Sequence, residues 1–294
     1  MAESGAEPPL KSDLHSRIAV AAIGVPLCAV AVFAGGSLFA LGLGALAAIG
    51  YREFATMFRS HGYKPGLLAA SAGAAGFPVV VLYFGLPGGA MYGAGLLMTV
   101  SAVMMVRVRV ADGPLLTAAL TGFGMLYIGG LLSFGIPLRM DPLIGRGMEA
   151  GSAVTDRLSA TLFFFYPVVI TWLADTAAYF GGRRFGRRQL APHVSPNKTI
   201  EGAIAAVVVA PLASLAYGWL ALPGSWRPDS LVAVLFGVVV AGLAIIGDLI
   251  ESALKRECGV KDSSNLLPGH GGILDRLDSL LWVIPGAYLF FLIF

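Results

Sequence analysis

The residues best suited to chemistry in this 294-residue chain lie in one stretch, GDLIESALKRECGVKDSSNLLPGHGGILDRLD, from Gly247 to Asp278. Asp248, Ser252 and Lys255 recur at i, i+4 and i+7, so a helix would carry them on one face. Asp275 and Asp278 are three residues apart, again on one face. Carboxylates gathered at one depth repel unless a cation sits between them. Hard oxygen ligands favour Mg²⁺ or a similar ion, with phosphate oxygens completing its shell. Lys255, Arg256, Lys261 and Arg276 supply positive charge for a polyphosphate. Pro268-Gly269-His270-Gly271-Gly272 reads as a loop whose backbone can approach a ligand closely. Acidic, basic and glycine-rich elements in this combination point to phosphoryl or nucleotidyl transfer.

Two further polar clusters join this one. Asp175 lies within an apolar run about two turns before Arg183, and Tyr179 shares its helical face. An ionised carboxylate inside a membrane helix costs on the order of 3 kcal/mol, so Asp175 is expected to face a polar cavity or a cation. The second cluster runs from Arg183, Arg184, Arg187 and Arg188 to Ser195-Pro196-Asn197-Lys198-Thr199-Ile200-Glu201-Gly202. The arginines also suit lipid headgroups and membrane orientation. Ser195 reads as a helix N-cap with Pro196 at the first helical position, which places Lys198 and Thr199 in the first turn. The free N–H groups of such a helix start suit a phosphate.

The elements that must hold these residues are membrane helices. Of the chain, 57% is hydrophobic and only 13% charged, and its mean hydropathy is +0.80. That excludes an ordinary soluble domain and predicts an all-α polytopic membrane protein. Residues 1–16 read as a polar tail. The first apolar run starts late and continues too far for a cleaved signal peptide. Ile18 to Tyr51 is uncharged and too long for one crossing, with a break expected at Gly35-Gly36. Pro65 to Val106 is expected to divide at Leu86-Pro87-Gly88-Gly89, and Arg52 to Lys64 reads as a basic loop. The division is then 17–157, with spans one to five, and 158–294, the catalytic membrane region with spans six to nine. Nine crossings with a cytosolic N-terminus leave only Arg139, Arg146, Arg157 and Arg227, of the 20 Lys and Arg, on the outer side. The positive-inside rule supports that orientation and assigns all three polar clusters to the cytosol. Small residues in the first half suit close helix packing and permit a homodimer. Cys28 and Cys258 show no metal or disulfide spacing.

The run Ser252-Ala253-Leu254-Lys255-Arg256, then Lys261-Asp262, then Leu267-Pro268-Gly269-His270-Gly271-Gly272-Ile273-Leu274-Asp275-Arg276-Leu277-Asp278 resembles the signature of phosphatidate cytidylyltransferases, the CDP-diacylglycerol synthases. The Asp175/Tyr179 segment and Ser195 to Gly202 are similar to that family's upstream motifs. The resemblance covers about residues 165 to 280. It implies transfer of the cytidylyl group of CTP to phosphatidate from the inner leaflet of the cell inner membrane, with no nucleic-acid partner. The products are CDP-diacylglycerol and pyrophosphate, a step of phospholipid biosynthesis. It implies Mg²⁺, with K⁺ as an accessory ion. On this reading Asp248, Lys255, Asp275 and Asp278 are catalytic. Asp248 and Asp275 bind metal, with Asp278 and Asp175 as further candidate ligands. Ser195, Lys198, Thr199, Ser252, Arg256, Lys261, His270, Gly271, Gly272 and Arg276 bind phosphate or nucleotide.

Two other readings compete. A CTP-dependent lipid kinase would pass the γ-phosphate to a hydroxyl and would want a general base beside it. A transporter would place its charges near the membrane midplane, often in repeated halves. Here they cluster toward one face of the C-terminal half.

Overall fold

The computed structural model describes residues 10–109, 113–140, 154–266 and 271–294. Helix α1 is Leu10–Ala34, α2 Gly36–Ser60 and α3 Leu68–Arg107. Pro114–Met140 is continuous but irregular: α4 (Pro114–Gly124), a π-turn at Met125–Gly130, α5 (Leu131–Ser133) and α6 (Gly135–Met140). Then come α7 (Val154–Phe185), strands β1 (Gln189–Ala191) and β2 (Ser195–Thr199), α8 (Ile200–Leu220) and α9 (Ser230–Glu257). Helices α10 (Leu274–Leu277) and α11 (Leu280–Ile293) close the chain. Among the described residues seven helical segments are long and apolar enough to cross a membrane.

Glycine sets the reversals. Gly35 and Gly36 both have positive φ, which separates α1 from α2 as the sequence suggests. In α3 the break falls at Gly85, just before the expected Leu86–Gly89 stretch, with φ 64° and ψ −174°. The two arms of α3 fold back on each other there. Phe77 and Tyr92 meet edge to face at 5.0 Å between ring centroids, and the Tyr92 hydroxyl donates to the Gly73 carbonyl at 3.1 Å.

Two expectations fail locally. Arg52 to Lys64 is not one loop, because α2 continues as a helix to Ser60. Its inner face is lined by the buried Tyr51, Phe54 and Phe58, and that packing holds the helix together past the charged positions. Ser195–Thr199 is not a helix start either. It is a strand paired antiparallel with β1. The helix begins one step later, where the Thr199 hydroxyl accepts from the Gly202 amide at 3.1 Å. Thr199 rather than Ser195 is therefore the N-cap.

The C-terminal helices pack through small residues and buried polar contacts. A side chain at Gly181 would strike Ala205, and one at Gly202 would strike the Ala178 carbonyl, so α7 and α8 approach closely. Gly237 of α9 does the same against Pro211 of α8. Tyr166 stacks on Tyr217 at 5.2 Å and lies 2.5 Å from the Ser214 hydroxyl, which itself donates to Ala233 O. Outward faces keep Val207, Leu212, Val238 and Ile246 exposed, as lipid contact requires.

Candidate active site

One end of the bundle gathers the C-termini of α2, α7 and α9, the N-termini of α8 and α10, and the β1–β2 hairpin. Arg139 and Arg157 meet at another junction, where Arg139 donates to the carbonyls of Val32 and Arg157 at 3.0 and 3.4 Å.

A cavity of about 720 Å³ opens at the first of these ends. Asp175, Tyr179 and Arg183 come to it from α7. Ser195, Asn197, Lys198 and Thr199 come from the hairpin, Asp248 from α9, and Asp278 from the α10–α11 junction. Ala178, Leu190 and Ile245 give it apolar wall. The helical spacing explains the acidic side: Asp175, Asp248 and Asp278 each sit near the polar end of an otherwise apolar helix. Lys198 Nζ lies 2.5 Å from Asp248 Oδ2 and forms an ion pair with it. Arg183 donates to the Tyr179 hydroxyl at 3.0 Å.

Of the residues singled out from the sequence, Asp175, Tyr179, Arg183, Ser195, Asn197, Lys198, Thr199, Gly202, Asp248 and Asp278 line this cavity. Asp275 is held elsewhere. Its Oδ1 accepts from Lys255 Nζ at 2.8 Å, and its Oδ2 accepts from the Ser263 hydroxyl and the Gly272 amide at 2.9 and 2.8 Å. The Ser263 amide also donates to Oδ2, at 2.9 Å. Asp175, Asp248 and Asp278 thus line one cavity, whereas Asp275, expected beside Asp248, is not among its lining residues. The physical reason is that Asp275 faces its own loop, whose N–H groups satisfy it.

Lys255 is likewise committed, lying 3.0 Å from Glu251 and 2.8 Å from Asp275. Ser252 reaches only 3.5 Å from Asp248 Oδ1, at the limit of a hydrogen bond. Arg256 is exposed and donates to Val194 O at 3.3 Å, tying α9 to the hairpin. Lys261 and Arg276 are exposed. Gly271 has φ 78°, and a side chain there would meet Asp275. His270 lies outside the described residues.

Two acids central to this end were not singled out from the sequence. Glu251 has 0% relative exposure and completes the Glu251–Lys255–Asp275 chain. Glu53, at 5% exposure, reaches from α2 to Ser263, Ser264, Ile273 and Leu274. The one available signal was Glu53's position between Tyr51 and Phe54 on the apolar face of α2.

Among the described residues no three His, Cys, Asp or Glu side chains stand close enough together to hold a metal ion by themselves. The donor chemistry of the cavity still fits Mg²⁺. This ion takes one or two carboxylates and draws its remaining ligands from water and substrate phosphate, and Asp175, Asp248 and Asp278 offer only hard oxygens.

These helices and this cavity define a polytopic membrane protein with a charged cavity at one end of its bundle. Residues 15–294 match the Cytidylyltransferase family, and the chain belongs to that family of nucleotidyl-transferring enzymes. It is 36% identical to phosphatidate cytidylyltransferase 4, chloroplastic, of Arabidopsis thaliana, over 95% of this chain and 73% of that protein. It is 44% identical to the phosphatidate cytidylyltransferase of Bacillus subtilis over 45% of this chain and 48% of that one. Against the phosphatidate cytidylyltransferase of Haemophilus influenzae the identity is 40%, over 47% of this chain and 49% of the relative. With both bacterial relatives the alignment spans about half of their length.

Proposed function

We propose that the protein transfers the cytidylyl group of CTP to phosphatidate, releasing pyrophosphate and forming CDP-diacylglycerol. The observation that carries this reading is the cavity itself: carboxylates, Lys198 and Arg183 beside the apolar wall of Ala178, Leu190 and Ile245. Such a site accepts a molecule that is anionic at one end and apolar at the other. The relatives' names supply the acceptor.

A phosphatidate phosphate oxygen attacks the α-phosphorus of CTP. One oxygen–phosphorus bond forms, and the bond from that phosphorus to the bridging oxygen of the β-phosphate breaks. The attacking oxygen is already anionic, so the protein's main task is to bring two anions together and orient them. Lys198 and Arg183 hold phosphate oxygens and offset their repulsion. Asp248 and Asp278, with Asp175 beside them, would hold Mg²⁺, which screens the phosphates and the leaving pyrophosphate. Without a cation, three carboxylates would repel a triphosphate rather than bind it.

The reading includes nine crossings, with both arms of α3 and helix α1 each spanning once. The N-terminus and the site face the cytosol, where CTP is, and phosphatidate arrives from the inner leaflet of the cytoplasmic membrane. The distribution of Lys and Arg supports this orientation.

The test is product analysis. Purified protein in detergent with phosphatidate, Mg²⁺ and CTP labelled at the α-phosphate should move the label into lipid and release pyrophosphate. Phosphorylated lipid and free CDP would instead establish a CTP-dependent kinase.

A further inference from the structure

We propose that Glu53, in the N-terminal half, is a positioning residue for the nucleotide side of the site, an inference that rests on the cytidylyl-transfer reading. Glu53 Oε1 accepts from the Ser264 hydroxyl at 2.6 Å and the Ile273 amide at 3.0 Å. Its Oε2 accepts from the Leu274 amide at 2.7 Å and the Ser263 hydroxyl at 3.3 Å. The two amide contacts span 220 and 221 residues of sequence.

Each contact has a physical reason. The Ile273 and Leu274 amides open the α10–α11 segment, where N–H groups lack partners within the helix. A carboxylate is favoured at that positive end, and charge-assisted bonds to it are stronger than neutral ones. A buried carboxylate is tolerated only when its oxygens are satisfied, and here hydroxyls and amides satisfy both. Gly272 makes the approach feasible, because a Cβ at that position would collide with the Ser263 hydroxyl and with Glu53 Oε2.

The consequence reaches the cavity along the chain. Glu53 fixes Leu274, and one helical turn later Asp278 lines the cavity. The same segment carries the exposed Arg276, and the loop that Glu53 holds through Ser263 and Ser264 carries the exposed Lys261. The apolar wall comes from α7, β1 and α9 instead, where Glu53 makes none of these contacts. Loosening the Glu53 clamp should therefore disturb nucleotide binding and leave lipid binding alone.

The experiment compares wild type with Glu53→Gln and Glu53→Asp. Each is measured by steady-state kinetics and by hydrogen exchange of purified intact protein without substrates. Glu53→Gln should raise KM for CTP about tenfold, the loss of one charge-assisted hydrogen bond, and leave KM for phosphatidate unchanged. Exchange should accelerate in peptides covering 261–266 and 271–275 but not in α9. Glu53→Asp, which keeps the charge, should restore part of both. Should Glu53→Gln not fold, Ser264→Ala removes a single donor, and the same pattern is expected at smaller amplitude. A fall in kcat with both KM values and the local exchange unchanged would reduce Glu53 to bulk stability and overturn the proposal. Faster exchange with an unchanged KM for CTP would also overturn it. A wild type that makes no CDP-lipid would sink the function reading instead, and unchanged exchange in the variants would then dispose of the clamp independently.

Discussion

Lys198 Nζ and Asp248 Oδ2 stand 2.5 Å apart, joining the strand that enters α8 to the polar end of α9 across the floor of the cavity. The two charges neutralise each other. A bound phosphate would compete for Lys198 and release Asp248 toward a cation. Asp248→Asn should therefore lower turnover by at least about a hundredfold, the scale for removing one electrostatic stabiliser, with an unchanged thermal midpoint in detergent. Turnover within about threefold of wild type would reject Asp248 as a ligand. Lys198→Ala should act mainly on KM.

Asp275 and Lys255 should respond differently. Both are engaged in a buried chain with Glu251, and breaking a buried ion pair costs about 3–5 kcal/mol. Lys255→Met should lower the thermal midpoint markedly, because it leaves two carboxylates facing each other. Adding Glu251→Gln should recover part of the loss, since the two sites are coupled. Equal midpoints for Lys255→Met and wild type would show that this chain does not hold the fold.

Cation dependence gives a third check. Chelation with EDTA should abolish cytidylyl transfer, and added Mg²⁺ should restore it. Asp278→Asn should need more Mg²⁺ for half-maximal rate, by about tenfold for the loss of one carboxylate ligand or its support. Full activity in EDTA would remove the cation from the mechanism.

Close packing makes the glycines testable. A Cβ at Gly237 would land on the Pro211 backbone, so Gly237→Ala should lower stability by roughly 1–3 kcal/mol, the scale of overpacking. KM for both substrates should stay as in wild type, since the contact lies away from the cavity. A changed KM would mean that the α8–α9 contact shapes the site.

Topology can be read by labelling. With Cys28 and Cys258 replaced, a cysteine at Lys261 should react with an impermeant maleimide only after the cytosolic face is opened. A cysteine at Arg227 should react in intact cells. The reverse pattern would invert the proposed orientation.

Several features of this protein were legible in the chain because they depend on local chemistry. A hydropathy of +0.80 requires membrane helices whatever their packing. The uncharged run to Tyr51 had to break, and Gly35-Gly36 was the place where backbone could reverse without strain. Asp175, Asp248 and Asp278 were visible as carboxylates at the ends of apolar helices. Only the tertiary structure decided their partners. Asp275 and Asp278 share a sequence motif, yet one faces its loop and the other the cavity, because Ser263 and Gly272 present their N–H groups to Asp275. Ser195 and Pro196 have the composition of a helix start, but pairing with β1 keeps them extended and passes the cap to Thr199. Glu53 shows the limit most plainly. Nothing within ten residues of it on the chain explains a buried carboxylate, since its partners lie more than 200 residues away. Helix periodicity and charge placement act over a few residues and can be read from sequence, whereas satisfying a buried charge depends on which distant donors the packed bundle brings within 3 Å.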